Sequence, residues 1–310
     1  MARRLMTVPG MGPLVATAIA VPAPPPETLR KVRDFAAWLG LVPRSATLIA
    51  FTSVALETLP VRHHSSRMEL TQIESLADRT RGFLHGAYMT QQAPGPNPGL
   101  RLQARYDTAR FSSDLFDVLS IPRPETLARA IDKRLAEFLA WRILAREAQI
   151  ALNLCSAPVP IGEDRAPIWP ADQAGSISHA RGYCACILLS ASQGRPGIDI
   201  ETIAGGQGLE SILSITVSTS EAMLLETAPD IGTAATLCFS AKETLFKALY
   251  PTVGRFFDFN CAELRSLPGP NCLTLTLTED LHSTLPAGCA FDISYTAATD
   301  HVMTWLVHPA

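Results

Sequence analysis

No stretch of this sequence is apolar for long enough to cross a membrane, no two cysteines stand as C-x-x-C, and neither sign of charge dominates. Each shortage excludes something. Residues 14–21 form an apolar run preceded by Arg3 and Arg4 and followed by Pro22-Ala23, in superficial likeness to a secretory leader. The run is short, interrupted and poor in Leu and Ile, which argues against both a leader and a span. A formal net charge of -3 gives no case for nucleic-acid binding by the whole chain, so any basic function must be local. Seven cysteines, an odd count without metal-ligand spacing, fit reduced thiols and a cytoplasmic location. Cys184 and Cys186 alternate within an apolar strand-like run, where burial explains them. The loop Ala204-Gly205-Gly206-Gln207-Gly208 lacks the spacing of either glycine-rich nucleotide motif, so it is not a phosphate cradle.

What is present is a chain of 310 residues, enough to bury a sizeable core as one large domain or two small ones. Its chemistry gathers in residues 197–251. The run GIDIE places Asp199 and Glu201 two apart among β-branched neighbours, so on a strand both carboxylates leave from one face. The run FSAKETLFKALYP places Glu243 and Lys247 one helical turn apart. Leu237, Cys238, Leu245 and Leu249 continue the apolar pattern, so the helix is expected to begin before Phe239 and to stop at Pro251. Plainer readings exist for each part. The acid pair also suits the wet face of an edge strand, and Ser240 with Glu243 also fits a capping box. If strand and helix pack together, three carboxylates meet beside a lysine, a set suited to Mg²⁺ carrying a phosphate ester.

Elsewhere, residues 100–106 alternate as a strand, and residues 126–152 form the longest helical pattern, basic through Lys133, Arg134, Arg142 and Arg146. Arg134 with Glu137 reads as an ordinary intrahelical pair. Residues 175–178 and 183–189 read as two turn-linked strands with His179 at the bend. Short helices are expected near residues 209–213 and 220–226. Strands are expected where Leu273, Leu275 and Leu277 alternate with threonines, and over 291–295 and 302–307.

The pair GIDIE and FSAKETLFK resembles the signature of the 4′-phosphopantetheinyl transferase superfamily, in the Sfp-type branch that includes enterobactin synthase component D. KRLAEFLAWRILAREA and RAPIWPADQAGSISH, upstream and in the same order, resemble further segments of that family. The resemblance runs from about Met68 to the C-terminus. It implies an α+β fold of two pseudo-symmetric subdomains with coenzyme A in the cleft between them, and transfer of the phosphopantetheine arm to a serine of an acyl or peptidyl carrier protein. By the same resemblance Asp199, Glu201 and Glu243 hold Mg²⁺, Glu243 takes the serine proton, and Lys247 neutralises a bridging phosphate oxygen. Arg134 and Arg142 hold the coenzyme 3′-phosphate. Arg165, Ser178 and His179 meet coenzyme phosphates, with Lys242 more loosely placed. A monomer is implied, because one chain holds both sides of the cleft. Siderophore, other nonribosomal peptide and polyketide pathways all use such enzymes. Thr244, Trp141 and Asp172 depart from the family, where smaller residues are usual. Rival readings are an Mg²⁺-dependent phosphoesterase and a non-catalytic carrier-binding remnant.

A different resemblance covers residues 4–44, where RLMTVPGMGPLVATAIA and RDFAAWLGLVPR are similar to the C-terminal part of an insertion-sequence transposase family. Nothing resembling the transposase catalytic part accompanies it. The expected organisation is therefore a dispensable helical appendage over 1–67, a first transferase subdomain over 68–195, and a second over 196–310 carrying the magnesium site. No nucleic-acid binding is expected of the enzyme part.

Overall fold

The computed structural model describes residues 70–92, 97, 99–162 and 166–310. The stretch 1–67, and with it the leader-like and transposase-like segments, lies outside the described residues, as does Arg165. The first five-stranded antiparallel sheet comprises β1 (Leu70–Gln72), β2 (Leu84–Gln92), β3 (Gly99–Tyr106), β4 (Gln173–Ala180) and β5 (Tyr183–Ser190), in the order β1-β2-β3-β5-β4. Two short helices, α1 (Glu74–Arg79) and α2 (Leu115–Val118), lie among its connections, and α3 (Asp132–Ala151) packs across β3 and β5. The run Tyr-Cys-Ala-Cys-Ile-Leu-Leu is covered on both faces, as a continuous apolar strand requires. Phe138, Leu139, Ile143 and Leu144 of α3 supply the cover on one side. The long helix begins at Asp132, later than its apolar pattern, because residues 125–127 form a separate 3₁₀ turn. His179 sits on β4 itself, and the bend is made by Arg181 and Gly182, the latter at φ 75°.

The second half is built the same way. Its strands are β6 (Arg195–Thr202), β7 (Ala262–Leu264), β8 (Cys272–Leu277), β9 (Ala290–Ala297) and β10 (His301–His308), all antiparallel in the order β6-β10-β9-β8-β7. After β6 come α4 (Gln207–Ile215) and α5 (Thr219–Leu225), then α6 (Ile231–Val253), which lies on the sheet. In β8 the leucines face the core and the threonines face outward. Asp230 caps α6 by accepting from the backbone N–H groups of Gly232 and Thr233. The helix does begin before Phe239, but Pro251 does not stop it. Pro251 rides in the last turn, and the stop is Gly254 in the left-handed conformation, φ 65°. Each half is thus an antiparallel sheet with one long helix, the α+β arrangement, although the strand orders differ.

A third apolar cluster lies between the halves, where Ile187 and Leu189 of β5 meet Ile198 and Ile200 of β6 and Met303, Trp305 and Val307 of β10. Polar ties reinforce it. Asn97 donates to Ser294 Oγ at 2.9 Å and accepts from the Val307 N–H at 2.9 Å. The Arg101 guanidinium lies 3.7 Å over the Trp305 ring. At this seam β4 and β6 lie side by side, with the Ile198 N–H donating to Ser176 Oγ at 3.2 Å. Among the described residues no helix is long and apolar enough to cross a membrane.

Candidate active site

The site starts from one glycine. A Cβ on Gly197 would stand 2.0 Å from the Thr244 carbonyl oxygen and 3.0 Å from the Ala248 nitrogen, so only glycine lets β6 lie this close to α6. Alternation then turns Asp199 to the same helix while Ile198 and Ile200 enter the seam core. Asp199 is 2% exposed. Its Oδ2 accepts from Ser240 Oγ of α6 at 2.8 Å, and its Oδ1 accepts from Ser178 Oγ of β4 and from Lys247 Nζ, both at 2.7 Å. Lys247 also donates to the Ile198 carbonyl at 3.0 Å and to Ser178 Oγ at 3.2 Å. Strand, helix and the neighbouring sheet therefore meet at one carboxylate. Ser240 lies mid-helix and is spent on Asp199, so the capping-box reading of Ser240 and Glu243 does not hold.

Glu201 and Glu243 complete the electrostatics. Burial pushes the Glu243 carboxyl up to about 7, with Asp199 adding to the rise and Lys247 opposing it. Burial likewise raises Glu201 well above the carboxylate range, helped by the charges of Asp199 and Glu243. The Lys247 ammonium resists burial because these three carboxylates outweigh it and lift its pKa. Glu243 Oε1 is enclosed and has no hydrogen-bond partner among the described residues. Three hard oxygen donors that repel one another, one with an orphaned oxygen, fit a divalent cation such as Mg²⁺. They are not drawn into a closed cage: among the described residues no group of three His, Cys, Asp or Glu side chains is gathered for a metal. Lys247 and the two serines hold Asp199 instead.

One peptide from Ser178 a basic patch begins. Arg134, Glu137 and Trp141 share a face of α3, and Glu137 and Trp141 meet His179 of β4. Glu137 Oε2 lies 3.3 Å from Arg134 Nη1 and 3.6 Å from His179 Nε2. Burial works against the charge of Glu137, but His179, Arg134 and Lys133 prevail and hold the carboxyl below its ordinary range. Arg142 faces a different way. It is 6% exposed, its guanidinium lies 4.6 Å over the Phe138 ring, and its Nε and Nη1 have no partner among the described residues. Burial lowers its pKa to about 10. It lines a cavity of about 210 Å³ with Pro122, Pro124, Ala145 and Pro158. A buried guanidinium with free donors on a cavity wall is a place for an anion.

Lys242 is not part of either group. Its Nζ donates to Glu221 Oε2 at 2.7 Å and to the Thr216 carbonyl at 2.9 Å, and both side chains of the ion pair are enclosed. Glu221 is filled in turn by the Leu264 and Ser218 N–H groups. The pair joins α5, α6 and β7, so the expected coenzyme contact through Lys242 gives way to a structural one. Sequence reasoning missed Ser240 and Glu221. The hydroxyl in FSAKE was a legible signal for the first, whereas the partner of Lys242 is set only by tertiary packing.

Family models described as 4′-phosphopantetheinyl transferase N-terminal domain and 4′-phosphopantetheinyl transferase superfamily match residues 123–189 and 195–303, and the gap between them falls between β5 and β6. Residues 2–47 match the Transposase IS116/IS110/IS902 family model. The 4′-phosphopantetheinyl transferase Svp of Streptomyces mobaraensis is 37% identical over 169 residues, which is 52% of this chain and 68% of the relative. Enterobactin synthase component D of Salmonella austin is 35% identical over 182 residues, 58% of this chain and 74% of the relative. The 4′-phosphopantetheinyl transferase Npt of Nocardia iowensis is 32% identical over 165 residues, 53% of this chain and 73% of the relative.

Proposed function

The chain belongs to the 4′-phosphopantetheinyl transferase superfamily, and on that footing we propose that it moves the phosphopantetheine arm of coenzyme A to a serine hydroxyl of an acyl or peptidyl carrier protein, with Mg²⁺ bound by Asp199, Glu201 and Glu243. The observation that carries this reading is the convergence of Asp199, Lys247, Ser178 and Ser240 at the seam, with the raised carboxyls of Glu201 and Glu243 beside them.

In the reaction the carrier serine oxygen attacks the phosphorus that bears the pantetheine arm. The P–O bond to adenosine 3′,5′-bisphosphate breaks, and negative charge grows on the leaving oxygen and the equatorial oxygens. Bound Mg²⁺ supplies charge neutralisation there. Glu243 takes the serine proton, with an enclosed Oε1 that has no hydrogen-bond partner among the described residues. Lys247 turns to a phosphate oxygen the N–H that it otherwise gives to Ser178, while Asp199 and the Ile198 carbonyl hold the ammonium in place. Arg134 and His179 bind the 3′-phosphate, and Ser178 and Arg165 meet the diphosphate. Arg142, whose Nε and Nη1 have no partner among the described residues, offers its donors to the coenzyme. Residues 1–67 are dispensable, and the enzyme acts as a monomer on carriers of nonribosomal peptide or siderophore assembly, a context supported by the relatives named enterobactin synthase component D.

The test is mass analysis of a purified apo-carrier protein after incubation with coenzyme A, Mg²⁺ and the enzyme. The expected result is one phosphopantetheine increment on the carrier and free adenosine 3′,5′-bisphosphate. Hydrolysis of coenzyme A with an unmodified carrier would identify a phosphoesterase instead.

A further inference from the structure

Trp141 stands between two basic side chains that come from different elements. Its indole lies edge-on to the His179 ring, with centroids 4.5 Å apart and planes at 70°. The Arg134 guanidinium carbon is 5.0 Å from the indole centroid on its other contact. Glu137 touches the same two groups, at 3.3 Å and 3.6 Å. Four side chains thus form a box in which one carboxylate and one indole each contact both Arg134 and His179. The carboxylate supplies attraction but no fixed spacing, since an arginine beside a lone carboxylate can slide along it. The flat, rigid indole supplies the spacing. Its own N–H is enclosed and has no partner among the described residues, while part of the ring remains exposed. From His179 the next residue is Ser178, which reaches Asp199 and Lys247.

We infer that Trp141 is a positioning residue that sets the distance between Arg134 and His179 to suit a terminal phosphate monoester, and thereby makes the enzyme discriminate coenzyme A from its 3′-dephospho form. This rests on the phosphopantetheinyl-transfer reading. A guanidinium fork and an imidazole sharing one carboxylate leave donors free for a doubly charged oxyanion, and a substrate lacking that group gains nothing from the box. Trp141 carries no charge, and Trp141→Phe removes its indole N–H while keeping the ring, which separates the spacing from any bond that the N–H makes.

The experiment compares steady-state transfer to a purified carrier from coenzyme A and from 3′-dephospho-coenzyme A, using wild-type enzyme, Trp141→Phe and Trp141→Leu. Leucine keeps apolar filling without an aromatic face, and phenylalanine keeps the face. Trp141→Leu is expected to raise KM for coenzyme A about tenfold, equivalent to about 1.4 kcal/mol, with kcat within about twofold and KM for the dephospho donor unchanged. Trp141→Phe should keep most of the wild-type discrimination. An unchanged ratio of the two donors in Trp141→Leu, or an equal rise for both, overturns the inference while leaving the transfer reading intact. Absence of transfer from either donor by wild-type enzyme overturns the transfer reading and this inference with it.

Discussion

Lys242 and Lys247 lie five positions apart on one helix and do opposite things. The Lys242 ammonium ends in a closed ion pair with Glu221, whose remaining lone pairs are filled by backbone donors. Removing one partner leaves a buried charge uncompensated, so Lys242→Met should cost about 3 to 5 kcal/mol in denaturant unfolding and leave KM for coenzyme A in the surviving folded protein unchanged. Lys247 is half-buried and its partner Asp199 lies in the proposed site, so Lys247→Met should instead cost turnover far more than stability. Glu137 yields a pH prediction. Its carboxyl is held below the ordinary value of 4.5, so the folded state binds its proton less tightly than the unfolded state. The stability it contributes is present above about pH 4.5 and lost as pH falls through the lower folded value. Glu137→Gln should lower stability at pH 7 by about 1 to 2 kcal/mol and flatten the acid side of the melting-temperature profile. An unchanged acid limb would contradict the box around Arg134 and His179.

Among the elements, the strand-helix pair β6 and α6 makes the site, and Gly197 permits it. Gly197→Ala would press a methyl group into the Thr244 carbonyl, so the strand must move away from the helix and carry Asp199 from Ser240 and Lys247. Destabilisation of about 3 kcal/mol or more is expected by calorimetry, with loss of activity in whatever folds. Much of this pair was legible beforehand: the alternation of GIDIE turned Asp199 and Glu201 to one face, and the apolar spacing around Leu237 and Leu245 placed the helix start before Phe239. Pro251 misled, because a proline in the last turn costs only one late hydrogen bond and the left-handed Gly254 was the stronger stop. Ser240 misled differently. Its local pattern matched a cap, but a carboxylate on another element claimed the hydroxyl. Local chemistry was readable wherever one element decided it, and failed where Asp199 with Ser240, or Lys242 with Glu221, depended on distant partners.

At the scale of the molecule, the two sheets share an apolar seam through Ile187, Ile198, Ile200 and Trp305, and the site opens where β4 and β6 meet along it. All of those groups lie after residue 68. A chain beginning at Met68 should therefore melt within a few degrees of the full chain and transfer the arm at the same rate. A truncated protein that no longer folds or turns over would show that residues 1–67 belong to the enzyme. The likeness of residues 2–47 to a transposase family fits their being foreign to it.

The central claim is that Asp199, Glu201 and Glu243 together hold one divalent cation at this seam. The direct measurement is Mn²⁺ binding followed by electron paramagnetic resonance, with Mn²⁺ in place of Mg²⁺, on wild-type enzyme and on Glu243→Gln in the presence of coenzyme A. One tightly bound ion per wild-type chain, weakened at least about tenfold in Glu243→Gln with the melting temperature preserved, is the predicted result. Equal binding by both proteins, or no site in the wild type, would contradict it.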